Sequence, residues 1–445
     1  MMLALHLVVA VVIALAVIIR FRLAPPFGLI LGALYYGIAA GLGARQTASL
    51  IAEGFGKTMA GLGLVIAFGV VIGDLMAASG ALQRIIHTIL SWFSPKRVAD
   101  ALLATGLVVS TPVFFDVGFV ILAPIARRLA KMLESPIPML LAPLVIGLGT
   151  AHMLIPPTPG PLAAANTLNV PLGTMIGMGA LVGIPSAILA WILYRLIAGR
   201  PGFWRPEDEE PIHQPDVEEG LTRLPPFALA ITPIAVPVLL ILLASVVPIL
   251  LGDSDTSTAG EILLFLGDRN IAMLLGAVVA LAVAATAMTR DSLSKVINNS
   301  LNSAGVILVD TGTGGALGAV LAATDIGKVL ANPLVQFHIP VVLLAWLIAA
   351  AIKTAQGSGT TAIITTASLM APLVPQLGVN PVWVALAIGS GGLLGCHVND
   401  SGFWVISKGS GLTTRGGFKV YTLATALNAV TSLAVILVLQ AFLLR

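Results

Sequence analysis

Apolar runs bounded by short polar joints fill almost the whole chain. Leu3–Ile19, Pro25–Gly43, Ala60–Ala78, Gly173–Ile197, Phe227–Leu251, Ile262–Met288, Ser303–Ala323 and Tyr421–Leu443 are each predicted to span a membrane. A helix needs roughly 20 residues to cross about 30 Å of hydrocarbon. Gln46–Met59, with Glu53 and Lys57, has an amphipathic pattern and reads as a lead-in to the third span.

Four stretches depart from this pattern. Val98–Val109 runs into a tip at 110–118 and out through Phe119–Ile125 to Arg127, Arg128 and Lys131. Both arms are too short to span and both outer ends are basic, which predicts a re-entrant hairpin over about 98–132. Val341–Ile352, a polar tip at 353–361 and Ala362–Pro372 predict a second hairpin over about 340–375. Pro138–Leu154 is interrupted by Pro156, Pro157, Pro159 and Pro161. Proline lacks a donor N–H and crowds the turn before it, so the pattern predicts a broken helix over about 138–170. Pro381–Leu394 enters Gly-Cys-His-Val-Asn-Asp-Ser-Gly-Phe-Trp at 395–404 and Val405–Ser407 leaves it, a second broken helix over about 381–408.

These elements recur in order. At one constant offset His152 matches His397, Gly147-Leu148 matches Gly392-Leu393, Gly69 matches Gly314 and Gly73 matches Gly318. The histidines carry most weight, because the chain has only 6. With the N-terminus outside, Arg20, Arg22, Arg84, Lys96, Arg97, Arg127, Arg128, Lys131, Arg195, Arg200, Arg205, Arg223, Arg290, Lys295, Lys408, Arg415 and Lys419 fall inside. Arg45, Lys57, Arg269, Lys328 and Arg445 fall outside, a positive-inside bias that supports this orientation. The expected fold is therefore an all-α polytopic membrane protein built from two inverted repeats, 1–198 and 225–445. Each has five transmembrane helices, one of them broken, plus a re-entrant hairpin. Inverted repeats with discontinuous helices meeting near the midplane mark secondary transporters.

Composition agrees: of 445 residues 58% are hydrophobic and 10% charged, with a mean hydropathy of +1.02. A soluble domain carries about 25% charge. No basic n-region or cleavage site precedes the first apolar run, so it reads as a retained span. The segment 199–224, with Glu207, Asp208, Glu209, Glu210, Asp216, Glu218 and Glu219, reads as a solvated cytoplasmic linker. The net charge of +3 reflects basic loops, with no nucleic-acid face. Cys396 is the only cysteine, which excludes an intrachain disulfide and a cysteine-based zinc site. There is no His-Glu-x-x-His and no phosphate loop, and Gly-Ser-Gly at 357–359 lacks the glycine two places before the serine that an intramembrane serine protease would show. The pattern points to neither an enzyme nor an ATP-driven pump; an anion channel is the competing class.

Candidate chemistry lies at the two tips and the two breaks. Helix starts offer free N–H groups and a positive dipole end to an anion. Gly357, Ser358, Gly359, Thr360 and Thr361, with Gln356 beside them, suit that role: glycine lets a ligand approach the backbone, and hydroxyls both donate and accept. The composition fits a polyhydroxylated carboxylate, although small-residue helix packing explains the glycines alone equally well. Thr111 and Phe115 at the first tip, Thr158 and Gly160 at the first break, and Asn399 and Ser401 at the second complete the candidate substrate set. His152 and His397 fit substrate binding, proton shuttling or hydrogen bonding at a break. Desolvation disfavours a carboxylate's charged form, so Asp116 and Asp400 are candidate proton carriers, with Asp116 preferred. Lys353, the one cation placed within the membrane, either attracts a substrate carboxylate or pairs with an aspartate. Asp74, Asp310 and Asp325 read as structural or interfacial.

At Phe-Phe-Asp-Val-Gly-Phe-Val (114–120), Ile-Pro-Pro-Thr-Pro-Gly-Pro (155–161) and His-Val-Asn-Asp-Ser-Gly-Phe-Trp (397–404), the chain resembles the bacterial gluconate:proton symporter family of the ion transporter superfamily. The likeness runs from Glu53 onwards. It implies proton-coupled import of gluconate or a related sugar acid across the inner membrane, with no cofactor beyond the protons. It also implies a homodimer with an elevator-type transport domain. Related members carry D-serine or other small hydroxy acids such as glycerate, and sodium coupling is the alternative to protons. Members usually have His where Thr158 stands, Arg where Lys353 stands and Ala-Thr-Val where Gly359-Thr360-Thr361 stands.

Overall fold

The computed structural model describes residues 2–21, 23–111, 113–210, 224–251, 258–326, 329, 340–398 and 400–443. Asn399, Arg22, Arg223, Lys328, Arg445 and the acidic residues Asp216, Glu218 and Glu219, all named above, lie outside the described residues, as do Pro112 of the first tip and the side chains of Gln356 and Ser401. The described chain is helical; its one extended pairing is an isolated antiparallel bridge between Glu209 and Leu412. Six of the described helices are long and apolar enough to cross a membrane, or seven if one bent pair counts as a span.

The helices of the first half are α1 (Met2–Leu15), α2 (Pro25–Ala39), α3 (Ala44–Ala78), α4 (Ala81–Ser91), α5 (Val98–Val109), α6 (Phe115–Met132), α7 (Pro138–Leu154), α8 (Pro159–Thr167) and α9 (Leu172–Ala198). In the second half come α10 (Phe227–Leu251), α11 (Thr258–Leu266), α12 (Arg269–Ala285), α13 (Arg290–Ala322), α14 (Val341–Gln356), α15 (Gly359–Met370), α16 (Pro381–Gly391), α17 (Ser401–Gly409) and α18 (Leu423–Phe442).

Several boundaries differ from expectation. The amphipathic lead-in and the third span are one helix, the 35-residue α3. At 1.5 Å per residue it is about 52 Å long, more than the bilayer core requires. It continues because its polar start packs on α13: a Cβ at Gly315 would stand 1.9 Å from Thr58 Oγ1, and one at Gly54 2.6 Å from Gly315 O. Small residues let the two backbones approach this closely. A further helix, α4, buries Leu82, Ile85, Ile86 and Ile89 on one face. The expected span 262–288 bends by 66° between α11 and α12. There Asp268 caps α12, accepting from Asn270 N at 2.9 Å and Ile271 N at 3.3 Å, which starts a new helix instead of extending the old one. The outgoing arm of the first hairpin also exceeds expectation: α6 runs for 18 residues, and Asp116 sits in its first turn.

The two interrupted helices occupy the centre. Nearly every side chain of α7 and of α16 is buried, so neither has a polar or lipid face. Outer helices carry the lipid-facing residues, such as Ile184 and Leu196 on α9, 47% and 62% exposed. Asn428 on α18 ties to the first half, donating to Thr150 Oγ1 at 2.8 Å and to Ile146 O at 3.3 Å.

The described start of the linker, 199–210, is largely exposed but tied down at one point, Asp208, its only buried residue. Glu210 N donates to Gly411 O at 2.8 Å and Thr413 N to Asp208 O at 3.0 Å. The Asp208 carboxylate is fully buried, 2.6 Å from Lys419 Nζ and 3.2 Å from Arg415 Nε, and it accepts from Arg205 N at 2.8 Å. Burial favours its neutral form. The hydrogen bonds from Lys419 and Arg205 N–H and the charges of Lys419 and Arg415 outweigh that, and hold its pKa below the usual carboxylate value. Acidic composition favours solvent only when no basic partner is folded against it; here 408–419 supplies three.

Candidate substrate site

Each irregular segment ends one helix and starts another, because its residues cannot continue the turn. Ser110 and Thr111 close α5, with Thr111 Oγ1 donating to Leu107 O at 3.0 Å; Phe114 precedes α6. Thr158, almost fully buried, precedes α8 and bonds Ile155 O at 2.8 Å. Gly357 ends α14 at φ +93°, a left-handed position that favours glycine. Ser358 caps α15: its Oγ accepts from Thr361 N at 3.3 Å and Thr361 Oγ1 at 3.0 Å. Asp400 caps α17, its Oδ1 accepting from Gly402 N at 2.9 Å.

All four segments meet. The first tip touches the first break through Phe114, whose ring centroid lies 5.9 Å from that of His152. It reaches the second break at Gly402, where a Cβ would stand 3.4 Å from Asp116 Oδ1 and 3.3 Å from Asp400 Oδ1. The second tip abuts both breaks: a Cβ at Gly359 would meet Met153 Cε at 2.2 Å and Gly392 O at 3.3 Å. At Gly160 it would meet Ile363 Cδ1 at 2.9 Å and Thr360 Cα at 3.8 Å. Glycines therefore let the segments pack closely at the junction, where α8, α15 and α17 begin.

The polar centre of the junction is an ion pair. Lys353, 1% exposed, bonds Asp400 Oδ2 and the carbonyl of Gly357. Tyr421 donates to the same Asp400 Oδ2 at 2.8 Å. His152, 7% exposed, has no partner for Nδ1 among the described residues. Phe115 packs on Tyr421 at 5.8 Å and on Phe119 at 6.3 Å. A small, narrow cleft lies between α3 and the first tip and break, lined by Ile66, Gly69, Val70, Val113, Phe114, Pro157, Thr158 and Pro159.

Of the residues singled out in the sequence, Asp116, His152, Thr158, Gly160, Lys353, Gly357–Thr361 and Asp400 are brought together. His397 Nε2 donates to Thr354 O at 3.1 Å, so the two matching histidines have different partners. Tyr421 was missed by sequence reasoning. It stands in a plain apolar run, and only the π-helical turn Phe418–Thr422 aims it at Asp400. Among the described residues no group of three or more His, Cys, Asp or Glu could hold a metal ion.

Apolar spanning helices around a central site of helix ends define a multi-pass membrane transporter. The fold is similar to that of the crystallographically solved YdaH transporter of Alcanivorax borkumensis, with a TM-score of 0.64, 15% identity and coverage of 94% of this chain and 98% of that one. Residues 2–442 match the GntP family permease model, and the chain belongs to that family. It is 31% identical over 438 residues to a gluconate permease of Pseudomonas aeruginosa, covering 97% of this chain and 96% of that protein. It is 31% identical over 435 residues to the Gnt-II system L-idonate transporter of Escherichia coli, covering 97% and 98%. The protein is thus a gluconate-family transporter of the bacterial inner membrane and not an enzyme.

Proposed function

We propose that this transporter imports gluconate or a related sugar acid by symport with protons. The observation that carries the reading is the junction itself. Helix starts, threonine and serine hydroxyls and a buried lysine converge beside two carboxylates. Such a site can bind a carboxylate with several hydroxyls, and its acids can hold a proton beside that anion. Names of relatives support the substrate class, gluconate in one case and L-idonate in another.

The two hairpins and the two interrupted helices form the moving unit of an elevator, working as inverted repeats within a homodimer. Their close backbone contacts support movement as one body, and the cleft against α3 supports a binding face between that body and its scaffold. The test is uptake of a labelled sugar-acid panel into proteoliposomes under an imposed pH gradient, with a sodium gradient as the contrast. Concentrative uptake driven by inward protons is expected. Uptake driven by sodium alone, or of no sugar acid, overturns the reading.

A further inference from the structure

Among the described residues Lys353 is the one cation at the junction, yet with Asp400 ionised its charge is already neutralised. A substrate carboxylate reaching the empty site meets a closed ion pair. Asp400 is faced by Lys353 from α14, Tyr421 from the turn before α18, Asp116 from α6, His152 from α7 and Cys396 from its own segment. Of these only Lys353 pairs with it as a cation, and no ion pair joins Lys353 to Asp116.

We propose that Asp400 is the proton-binding carboxylate and that Lys353 exchanges partners, pairing with Asp400 in the empty carrier and with the substrate's carboxylate once Asp400 is protonated. This rests on the sugar-acid symport reading above. The step balances: an external proton bonds to Asp400 Oδ2, the Lys353 ammonium turns to the substrate anion, and both are released inside as Oδ2 ionises again. Tyr421 keeps its bond throughout, because a hydroxyl can donate to the carboxylate and accept from the acid. Protonating Asp116 does not have this effect, since Lys353 stays bound to Asp400.

The exchange also enforces coupling. A buried ammonium without an anion is strongly disfavoured, so the protonated carrier without substrate is a rare state and protons do not leak. In the ionised carrier with substrate, Asp400 and the substrate's carboxylate compete for one ammonium, and that state is disfavoured in turn. Lys353 also holds the carbonyl of Gly357, at the left-handed joint of the second tip, so the change of partner is felt where that tip must open.

The test is equilibrium binding of gluconate to the purified full-length protein, with uptake and counterflow in proteoliposomes. Wild-type affinity should fall about tenfold per pH unit above a midpoint, as linkage of one proton requires. Asp400→Asn should bind at every pH within about threefold of the wild type's low-pH affinity, retain counterflow and lose accumulation under a pH gradient. Asp116→Asn should keep the pH slope. Lys353→Gln should lose more than tenfold in gluconate affinity, while sorbitol, which lacks the carboxylate, binds it as it binds wild type. If Asp400→Asn fails to fold with Lys353 unpaired, Lys353→Gln/Asp400→Asn removes both charges and should bind gluconate weakly with no pH slope. A pH slope that survives in the Asn variant or the double variant, or that disappears in Asp116→Asn instead, overturns the exchange. Wild-type protein that binds and moves no sugar acid overturns the functional reading beneath it.

Discussion

Replacing Asp208 by Asn should loosen the segment around Arg415 and Lys419 that follows the second interrupted helix. The carboxylate is 0% exposed, its partner Lys419 18% and Arg415 52%. Breaking a fully buried pair costs about 3–5 kcal/mol, and an exposed one contributes about 0–1 kcal/mol. Lys419 can reach water and Arg415 already does, so the expected loss is intermediate, about 2 kcal/mol. The pH dependence follows from the depressed pKa of Asp208. The group's stabilisation is fully present above the ordinary value of 3.8 and is lost as pH falls through the lower folded value. Melting of the detergent-solubilised protein as a function of pH reads both effects. The variant should melt lower at neutral pH, and below 3.8 the difference from wild type should shrink. Proteolysis within the linker should be faster. Equal melting at neutral pH, with equal linker cleavage, refutes the argument that this contact holds the linker down.

Other outcomes follow from the same geometry. A carrier returns faster loaded than empty, so preloaded gluconate should accelerate uptake of labelled gluconate; sustained single-channel currents without exchange indicate a channel. Ser358→Ala removes the cap of α15 and a candidate ligand, and should weaken substrate binding by about 1–3 kcal/mol; unchanged binding moves the site away from this tip. Gly315→Val places side-chain atoms where Thr58 Oγ1 and the backbone of Gly54 already stand, and should destabilise the α3–α13 contact by about 1–3 kcal/mol, read as a lower melting temperature.

The sequence by itself determined the helical class, most of the spans and the places where helices stop. Those features are local: run length sets a span, prolines at 155–161 stop a helix, and Gly357 with Ser358 turns one. It also marked Asp116, His152, Lys353 and Asp400, because a polar group in an apolar run is costly wherever it lies. Which of them meet was decided only by tertiary structure. Lys353 and Asp400 are separated in the chain by the whole of α15 and α16, and their pairing depends on α14 packing beside the break before α17. The continuity of α3 needs α13 against its polar half, and the burial of Asp208 needs Lys419 and Arg415 from the far end of the chain. His152 and His397 show the limit most clearly. They match in sequence, but one is enclosed beside the ion pair and the other bonds a backbone carbonyl, because burial and partners come from neighbours that a residue's own segment does not contain.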